Sequence, residues 1–187
     1  EPSEKIKIGE YFSQLDLLIQ LTQYKHDKLV TLKQAMLQKM FPQDGASIPE
    51  IRCKGFEGDW EEAKLGDICE IIGGGTPSTS VQEYWGGNID WYSPTEIGSK
   101  VYANGSVKKI THLGLSRCSA KILPAQKTVL FTSRAGIGHM AILAKDGCTN
   151  QGFQSLVLHD DIDTYFIYSM GHLLKSYALK YASGSTF

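Results

Sequence analysis

Three short polar stretches of the sequence hold side chains of the kinds that recognise nucleic acid. Residues 73–80 (GGGTPSTS) supply small hydroxyl side chains and backbone N–H groups, which suit contacts with phosphates or base edges. Arg134 follows a strongly β-like run, and its guanidinium can donate paired hydrogen bonds to guanine or hold a phosphate. Asn150 and Gln151 place two carboxamides side by side, and the donor–acceptor pair of a carboxamide matches adenine. Because turns are commonly rich in such residues, each stretch is a weak signal by itself.

The basic residues are concentrated in one part of the chain, although the net charge is only −1. Residues 97–145 contain no acidic residue and eight basic ones. A locally basic surface attracts a polyanion even when the whole protein is nearly neutral. Together with the polar stretches, this segregation favours DNA as the ligand. The candidate DNA-binding residues are Thr76, Ser78, Thr79, Thr95, Lys100, Lys108, Lys109, Arg134, Asn150 and Gln151.

Within this set we predict two roles. Arg134, Asn150 and Gln151 are expected to read bases, because their side chains can make paired hydrogen bonds to a base edge. The three lysines are expected to act mainly as point charges that hold phosphates. Two alternatives stay open: the carboxamides could instead hydrogen-bond the loop backbone, and Arg134 could pair with Glu96.

The motifs of common enzymes are absent or incomplete. The glycine-rich stretch lacks the G-x-x-x-x-G-K-[ST] spacing of a phosphate loop, and Pro77 stands where a helix would begin. Glu62 and Lys64 match half of a metal-dependent nuclease core, which leaves a nuclease as one alternative function. The four cysteines and five histidines show no metal-ligand spacing, so we expect reduced thiols and no metal. Because the enzyme motifs are incomplete, we expect no catalytic residue.

Residues 4–40 are predicted to form one long amphipathic helix, since no proline interrupts them and apolar residues recur at helical spacing. At 1.5 Å per residue such a helix is about 55 Å long, which is more than one small domain can cover. We therefore predict pairing with another helix, as in an antiparallel coiled-coil arm. A protein adaptor that pairs through this helix without binding DNA is a second alternative function. The candidate packing residues are Phe12, Leu15, Leu18, Ile19, Leu29, Leu32 and Met36.

The rest of the chain is predicted to be a compact domain. Pro42 ends the helix, and the polar residues 43–54 resemble a linker, so the predicted divisions are 1–42, 43–54 and 55–187. Candidate strands are 67–72, 89–93, 128–132, 140–144 and 155–158, followed by a helix capped by Asp161 or Asp163 and ending near Tyr181. The fold class is therefore α+β: a long N-terminal amphipathic helix followed by a compact mixed α/β domain.

No apolar run approaches the ~18 residues of a membrane span, and no basic segment followed by an apolar one marks a secretory signal. These features predict a soluble, cytoplasmic protein.

Several runs of residues, in this order, resemble the specificity (S) subunit of type I restriction–modification systems. The helix looks like that family's central conserved helix, and the join after it is similar to the start of a target recognition domain. The matching runs are 7–9 (KIG), 15–19 (LDLLI), 37–42 (LQKMFP), 49–56 (PEIRCKGF), 59–61 (DWE), 64–67 (KLGD), 74–78 (GGTPS), 84–89 (YWGGNI), Trp91, 93–95 (SPT), 131–135 (FTSRA), 149–153 (TNQGF) and 183–187 (SGSTF).

The resemblance implies a DNA-recognition subunit that is not itself catalytic. It implies double-stranded DNA, two modification (methyltransferase) subunits and a restriction subunit as partners, and no cofactor bound by this chain. A family member normally carries two recognition domains and two conserved helices, whereas this chain carries one of each. We therefore expect a fragment or half-subunit that reads half of a bipartite site, with homodimerisation through the long helix as a further expectation.

Overall fold

The computed structural model describes residues 2–43, 45–134 and 136–182. Its contacts divide the chain into two units, Glu1–Glu62 and Ala63–Phe187. The predicted match at 183–187 lies outside the described residues, as does the last residue of the match at 131–135. The predicted domain limits at 42, 54 and 55 remain predictions.

The first unit is dominated by helix α1, Pro2–Lys39, which confirms the predicted long helix. Its 38 residues correspond to about 57 Å at 1.5 Å per residue. None of its described residues is buried. The apolar residues also extend beyond the predicted face, because Leu17 and Tyr24 lie about 100° and 120° around the helix from Leu18. The apolar surface of α1 is therefore broader than one narrow stripe.

The segment after α1 returns to the end of the helix. The N–H of Ile51 donates to the Lys39 carbonyl at 2.9 Å, and the Lys39 ammonium lies 2.5 Å from the Glu50 carboxylate. The ring of Phe41, which is only 6% exposed, meets the Trp60 ring edge to face with centroids 6.0 Å apart. These contacts order much of the stretch that the sequence predicted to be a linker.

The described residues of the second unit form two β-sheets. The larger sheet has the strand order β1-β8-β5-β6-β3 and the smaller one the order β4-β2-β7. The strands are β1 Cys69–Gly73, β2 Trp85–Tyr92, β3 Tyr102–Ala103, β4 Lys108–Ile110, β5 Thr128–Phe131, β6 Met140–Leu143, β7 Gly147–Thr149 and β8 Gln154–Leu158. All five predicted strands are present, although residues 65–68 form the short helix α2 (Leu65–Ile68) instead of the start of β1.

Short helices complete the unit: α3 His112–Ser116, α4 Thr164–Ser169 and α5 Gly171–Tyr181, with 3-10 turns at Gln82–Tyr84 and Pro94–Glu96. Asp163 caps α4, since its carboxylate accepts a hydrogen bond from the Phe166 N–H at 2.6 Å. The predicted single helix to Tyr181 is wrong in one respect: Met170, with φ −75° and ψ 4°, separates α4 from α5.

The core of this unit is built from the apolar runs that predicted its strands. Strands β5 and β6 are buried at every position, and Leu130, Leu143 and Phe153 are fully enclosed in one cluster. A second cluster packs Leu156 and Ile167 between the larger sheet and α4. Burial of side chains of this size contributes roughly 1.5–3 kcal/mol each. The sheets therefore form a rigid base for the loops at their ends.

Candidate nucleic-acid interface

Four loops of the second unit meet because of the strand directions. Strands β2 and β7 are parallel, so the segments that follow Tyr92 and Thr149 leave the smaller sheet at the same edge. In the larger sheet, β1 and β5 run antiparallel to β8, and Gly73 pairs with Gln154 at the start of β8. A further antiparallel bridge joins Thr132 to Phe153. The ends of β1, β2, β5 and β7 therefore converge, and we call residues 74–80, 93–96, 132–134 and 150–152 the loop edge.

The glycine-rich loop is packed closely against the loop after β7. The N–H of Gly75 donates to the Thr149 carbonyl at 2.9 Å, so this amide is not free for a phosphate as the sequence analysis assumed. A Cβ atom on Gly74 would lie 2.1 Å from the Asn150 carbonyl oxygen, which requires glycine at this close approach. Buried Trp91 donates its indole N–H to the Gly75 carbonyl at 2.8 Å. The backbone of the loop is therefore fixed, while Thr76, Ser78 and Thr79 are exposed.

The two predicted carboxamides have different surroundings. The Asn150 side chain is half-buried, and its Oδ1 accepts a hydrogen bond from the Gly152 N–H at 2.8 Å. In the structure, Asn150 therefore hydrogen-bonds the loop backbone, which is one of the two alternatives that the sequence left open. The Gln151 side chain is exposed, and its Oε1 accepts a hydrogen bond from the Thr76 hydroxyl at 2.5 Å. This bond joins two of the stretches that the sequence singled out.

Arg134 lies at the loop edge with its side chain exposed. The residue before it, Ser133, donates its N–H to the Gly152 carbonyl at 2.8 Å, which fixes the position of the arginine beside the β7–β8 loop. Within the described part of the chain, Arg134 makes no hydrogen bond or ion pair. The predicted alternative partner, Glu96, instead accepts bonds from the N–H groups of Ser93 and Val107 at 2.7 and 2.6 Å. The guanidinium is therefore available to a ligand.

Thr95 belongs to the turn that follows β2. Its hydroxyl lies 3.1 Å from that of Ser93, and the Glu96 carboxylate accepts bonds from both the N–H and the hydroxyl of Ser93. Pro94 contacts the β7–β8 loop, since a Cβ on Gly152 would lie 2.8 Å from the proline Cγ. The structure thus brings Thr95 to the same edge as Arg134 and Gln151.

The three predicted phosphate-binding lysines are placed differently. Lys109 on β4 forms an ion pair with Asp90, whose side chain is 8% exposed, at 2.6 Å. The ammonium of Lys108 lies 5.8 Å from the centroid of the Trp85 ring. Lys100 is exposed and lines a polar cavity of about 320 Å³, together with Glu96 among others. Lys108 and Lys100 remain candidates for phosphate contact, whereas Lys109 already has a partner inside the protein.

Asp90 is a buried acid that orders the strands beside the loop edge and that the sequence analysis did not select. Its Oδ1 accepts bonds from the N–H and hydroxyl of Ser106, both at 3.0 Å, in addition to the bond from Lys109. Burial opposes ionisation of this carboxyl, but the bonds from Lys109 and Ser106 outweigh burial and hold its pKa below the usual value. The signal in the sequence was an acid inside the apolar strand NIDWY, which requires a buried partner.

Trp85 was also missed as an organising residue. Its indole N–H donates to the Ser78 carbonyl at 3.1 Å, and its ring meets that of Trp91 edge to face at 5.2 Å. Because the ammonium of Lys108 lies beside the same ring, Trp85 joins the glycine-rich loop to β4. This arrangement places Lys108 next to the loop edge.

The buried thiol of Cys148 is a poor nucleophile. Burial raises the pKa of the Cys148 thiol to about 12, with smaller contributions from Cys118 and Asp90, so the thiol stays protonated. Across residues 2–43, 45–134 and 136–182, no group of three or more His, Cys, Asp or Glu side chains is placed to hold a metal ion. In the same ranges, no helix combines the length and apolar character that crossing a membrane requires.

Comparison with known proteins gives a consistent result. The family model described as "Type I restriction modification DNA specificity domain" matches residues 57–187. The type I restriction enzyme MjaIX specificity subunit of Methanocaldococcus jannaschii is 37% identical over 133 residues, which cover 69% of this chain and 31% of that protein. The EcoR124I/EcoR124II specificity subunit of Escherichia coli is 30% identical over 118 residues, covering 61% and 29%. The chain thus spans about a third of the length of these curated relatives.

Solved structures agree on the fold. The HsdS subunit of Thermoanaerobacter tengcongensis superposes with a TM-score of 0.62 at 21% identity, over 96% of this chain and 42% of that one. A chain from a structure on complex assembly and conformational transition of the type I R-M system gives a TM-score of 0.60, also at 21% identity, over 94% and 41%. These likenesses confirm the predicted fold class of a long helix followed by a mixed α/β domain. Because the family model covers well over half of its length, the chain belongs to the type I restriction modification DNA specificity family.

Proposed function

We propose that this chain acts in the sequence-specific DNA recognition subunit of a type I restriction–modification system and reads one half of a bipartite site. The observation that carries the proposal is the loop edge, where four loops held on rigid strands place exposed polar side chains on a family-matched DNA specificity domain. Arg134 supplies a guanidinium that has no partner among the described residues, and Gln151 supplies a carboxamide on the neighbouring loop. Such side chains suit base edges in the major groove.

Phosphate contacts would come from the basic residues around this edge. Lys100 and Lys108 are the best placed of the predicted lysines, since neither is held in an ion pair within the described residues. Contacts of this kind orient a protein on the duplex and are weakened by salt, whereas contacts to bases carry the sequence information. In the proposed site, the lysines therefore orient the protein on the duplex, and Arg134 and Gln151 read its sequence.

In this proposal the chain is not the catalytic subunit and binds no cofactor. Its partners are double-stranded DNA, modification subunits that methylate adenine and a restriction subunit that cleaves, and its location is the cytoplasm. The comparisons give no support to the nuclease alternative based on Glu62 and Lys64, nor to an adaptor without DNA binding.

We infer that α1 serves as an antiparallel pairing helix and spacer. Most of its large apolar side chains are exposed, from 41% at Val30 to 65% at Ile19, while Leu15, Met36 and Leu37 are half-buried. So much exposed apolar surface is unfavourable for a helix that stands alone in water. The charges support an antiparallel partner, because residues 2–20 carry three acids and two bases while residues 21–39 carry four lysines and one acid. A second copy of the same helix, running in the opposite direction, would place the more acidic half beside the basic half.

The spacer role follows from the length of the helix. About 57 Å corresponds to at most about 17 base pairs at 3.4 Å each, and to fewer where the helix ends carry the domains. Inserting one helical turn after Thr22 should lengthen the unread segment between the half-sites without changing the half-sites themselves.

The function is tested by mapping methylated adenines across the genome of the source cells with and without the gene. We expect one bipartite motif to lose its methylation when the gene is removed. An unchanged methylation map in cells whose modification subunit is expressed would contradict the proposal.

A further inference from the structure

We infer that Thr76 is a positioning residue for base recognition, which orients the Gln151 carboxamide, while Asn150 only shapes the loop. The inference rests on the proposed function and deepens it, because it divides three candidate residues into one reader, one positioning residue and one structural residue. The feature that carries it is the hydrogen bond from the Thr76 hydroxyl to Gln151 Oε1, which spans two loops that are 75 residues apart in sequence.

The backbones beneath this bond are held together independently of it. The Gly75 N–H donates to the Thr149 carbonyl at 2.9 Å, and Gly74 lies against the Thr149 and Asn150 carbonyl oxygens without room for a Cβ. The side-chain bond therefore joins two loops whose backbones are already held together. Because both side chains are exposed, the bond contributes little to stability and its main effect is on the orientation of the carboxamide.

In the structure the Thr76 hydroxyl holds the Oε1 end of the Gln151 carboxamide. A free carboxamide in solvent can rotate and exchange its oxygen and NH₂ group, which reverses its hydrogen-bonding pattern. With Oε1 accepting from Thr76, the Nε2 group is left to donate outward, and the second lone pair of Oε1 is still able to accept. Adenine offers the matching pair in the major groove, with N7 as acceptor and N6–H as donor. We assign Gln151 to an adenine in the half-site.

Asn150 is excluded from this role by its own contacts. Its Oδ1 accepts from the Gly152 N–H at 2.8 Å, and its N–H donates to the Tyr92 carbonyl at 3.0 Å. The side chain is half-buried, and the bond from Gly152 holds its oxygen against the backbone of its own loop. Asn150 therefore sets the path of the β7–β8 loop, whereas the exposed carboxamide of Gln151 is accessible to a base.

The test uses this chain in its assembled methyltransferase complex and a pool of duplexes randomised at the half-site positions. Bound duplexes are sequenced, and the preference at each base pair is compared between variants. Gln151→Ala should reduce discrimination at one A·T pair by about 5- to 150-fold. Thr76→Val should reduce it at the same pair by about two- to tenfold, and Thr76→Ser should retain it, because serine keeps the hydroxyl.

Thr76→Ala removes the same hydroxyl if Thr76→Val fails to fold, and Gln151→Glu measures independently which base Gln151 reads. The glutamate still accepts from the Thr76 hydroxyl but loses the outward donor, so the preference at that pair should move from adenine towards cytosine, whose N4 group donates. All these variants should leave the salt dependence of binding unchanged except Gln151→Glu, which adds a negative charge.

Three results would overturn the inference: no change at any base pair with Thr76→Val, changes at different pairs with Thr76→Val and Gln151→Ala, or equal loss with Thr76→Ser and Thr76→Val. Failure of the proposed function would look different, because the unmodified complex would then enrich no sequence from the pool.

Discussion

Replacing Lys109 by methionine separates a lysine that is held in an ion pair within the fold from one that is proposed to contact DNA. The change removes the ammonium that lies 2.6 Å from the Asp90 carboxylate while keeping most of the apolar stem. Asp90 would keep its two bonds from Ser106 but would lose its only charged partner among the described residues. Lys108, the adjacent residue on β4, is the matched control because it lies beside the Trp85 ring and pairs with no acid among the described residues.

The expected magnitude follows from the burial of the two side chains. A hydrogen bond to a charged group contributes about 1.5–3 kcal/mol, and breaking a fully buried pair costs about 3–5 kcal/mol. The Lys109 side chain is 43% exposed, so water can partly hydrate the Asp90 carboxylate after the change. We therefore expect Lys109→Met to lower the free energy of unfolding by about 1–3 kcal/mol. Lys108→Met should lower the free energy of unfolding by less than about 0.5 kcal/mol, as is usual for an exposed side chain.

Urea unfolding followed by tryptophan fluorescence measures both variants on the full chain. The Asp90 carboxyl has a pKa below its usual value in the folded protein, so its stabilising effect is present above a pH of about 4. That effect is lost as the pH falls through the lower pKa of the folded state, and the difference between the unmodified protein and Asp90→Asn should shrink accordingly. Equal stability of Lys109→Met and Lys108→Met at neutral pH would refute the assignment of Lys109 to the fold.

Three further predictions concern the loop edge, the long helix and a helix cap. Gly74→Ala should destabilise the second unit by about 1–3 kcal/mol, because the new Cβ would meet the Asn150 carbonyl, and thermal unfolding checks this. Leu29→Glu combined with Leu32→Glu should turn a self-associating chain into a monomer by light scattering, and an unmodified chain that is already monomeric at high concentration would contradict pairing. Asp163→Ala should cost about 0.5–2 kcal/mol in urea unfolding through loss of the α4 cap, with Asp161→Ala as a nearly neutral control.

The periodicity of apolar residues predicted the elements with continuous buried faces. Strands β5 and β6 are short apolar runs in the sequence and are buried throughout in the structure. The missed strands β3, β4 and β7 have only two or three residues each, and β4 includes two lysines, so none of them carries an alternating or continuous apolar signal. The break between α4 and α5 was missed as well, because Met170 and Gly171 fit a helical pattern and only the backbone angles at Met170 show the interruption.

The candidate site could be predicted by residue type but not by role. Arg134 and Gln151 were selected because their side chains match base edges, and the structure leaves both exposed at the loop edge. The partners of Lys109 and Asn150 depend on contacts between segments distant in sequence or on the path of a loop, which spacing alone does not encode. The same limit explains why the Thr76–Gln151 bond was not foreseen.

The claim that the loop edge reads DNA sequence is tested most directly by comparing Arg134→Ala with Lys108→Ala. Fluorescence anisotropy is measured with the assembled methyltransferase on duplexes with the cognate and a scrambled half-site, across a salt series. Arg134→Ala should cost about 1–3 kcal/mol on the cognate duplex alone and reduce discrimination, whereas Lys108→Ala should weaken both duplexes alike and lower the salt slope by about one unit. If Arg134→Ala weakened both duplexes equally, Arg134 would be a phosphate contact and its assignment to base readout would be wrong.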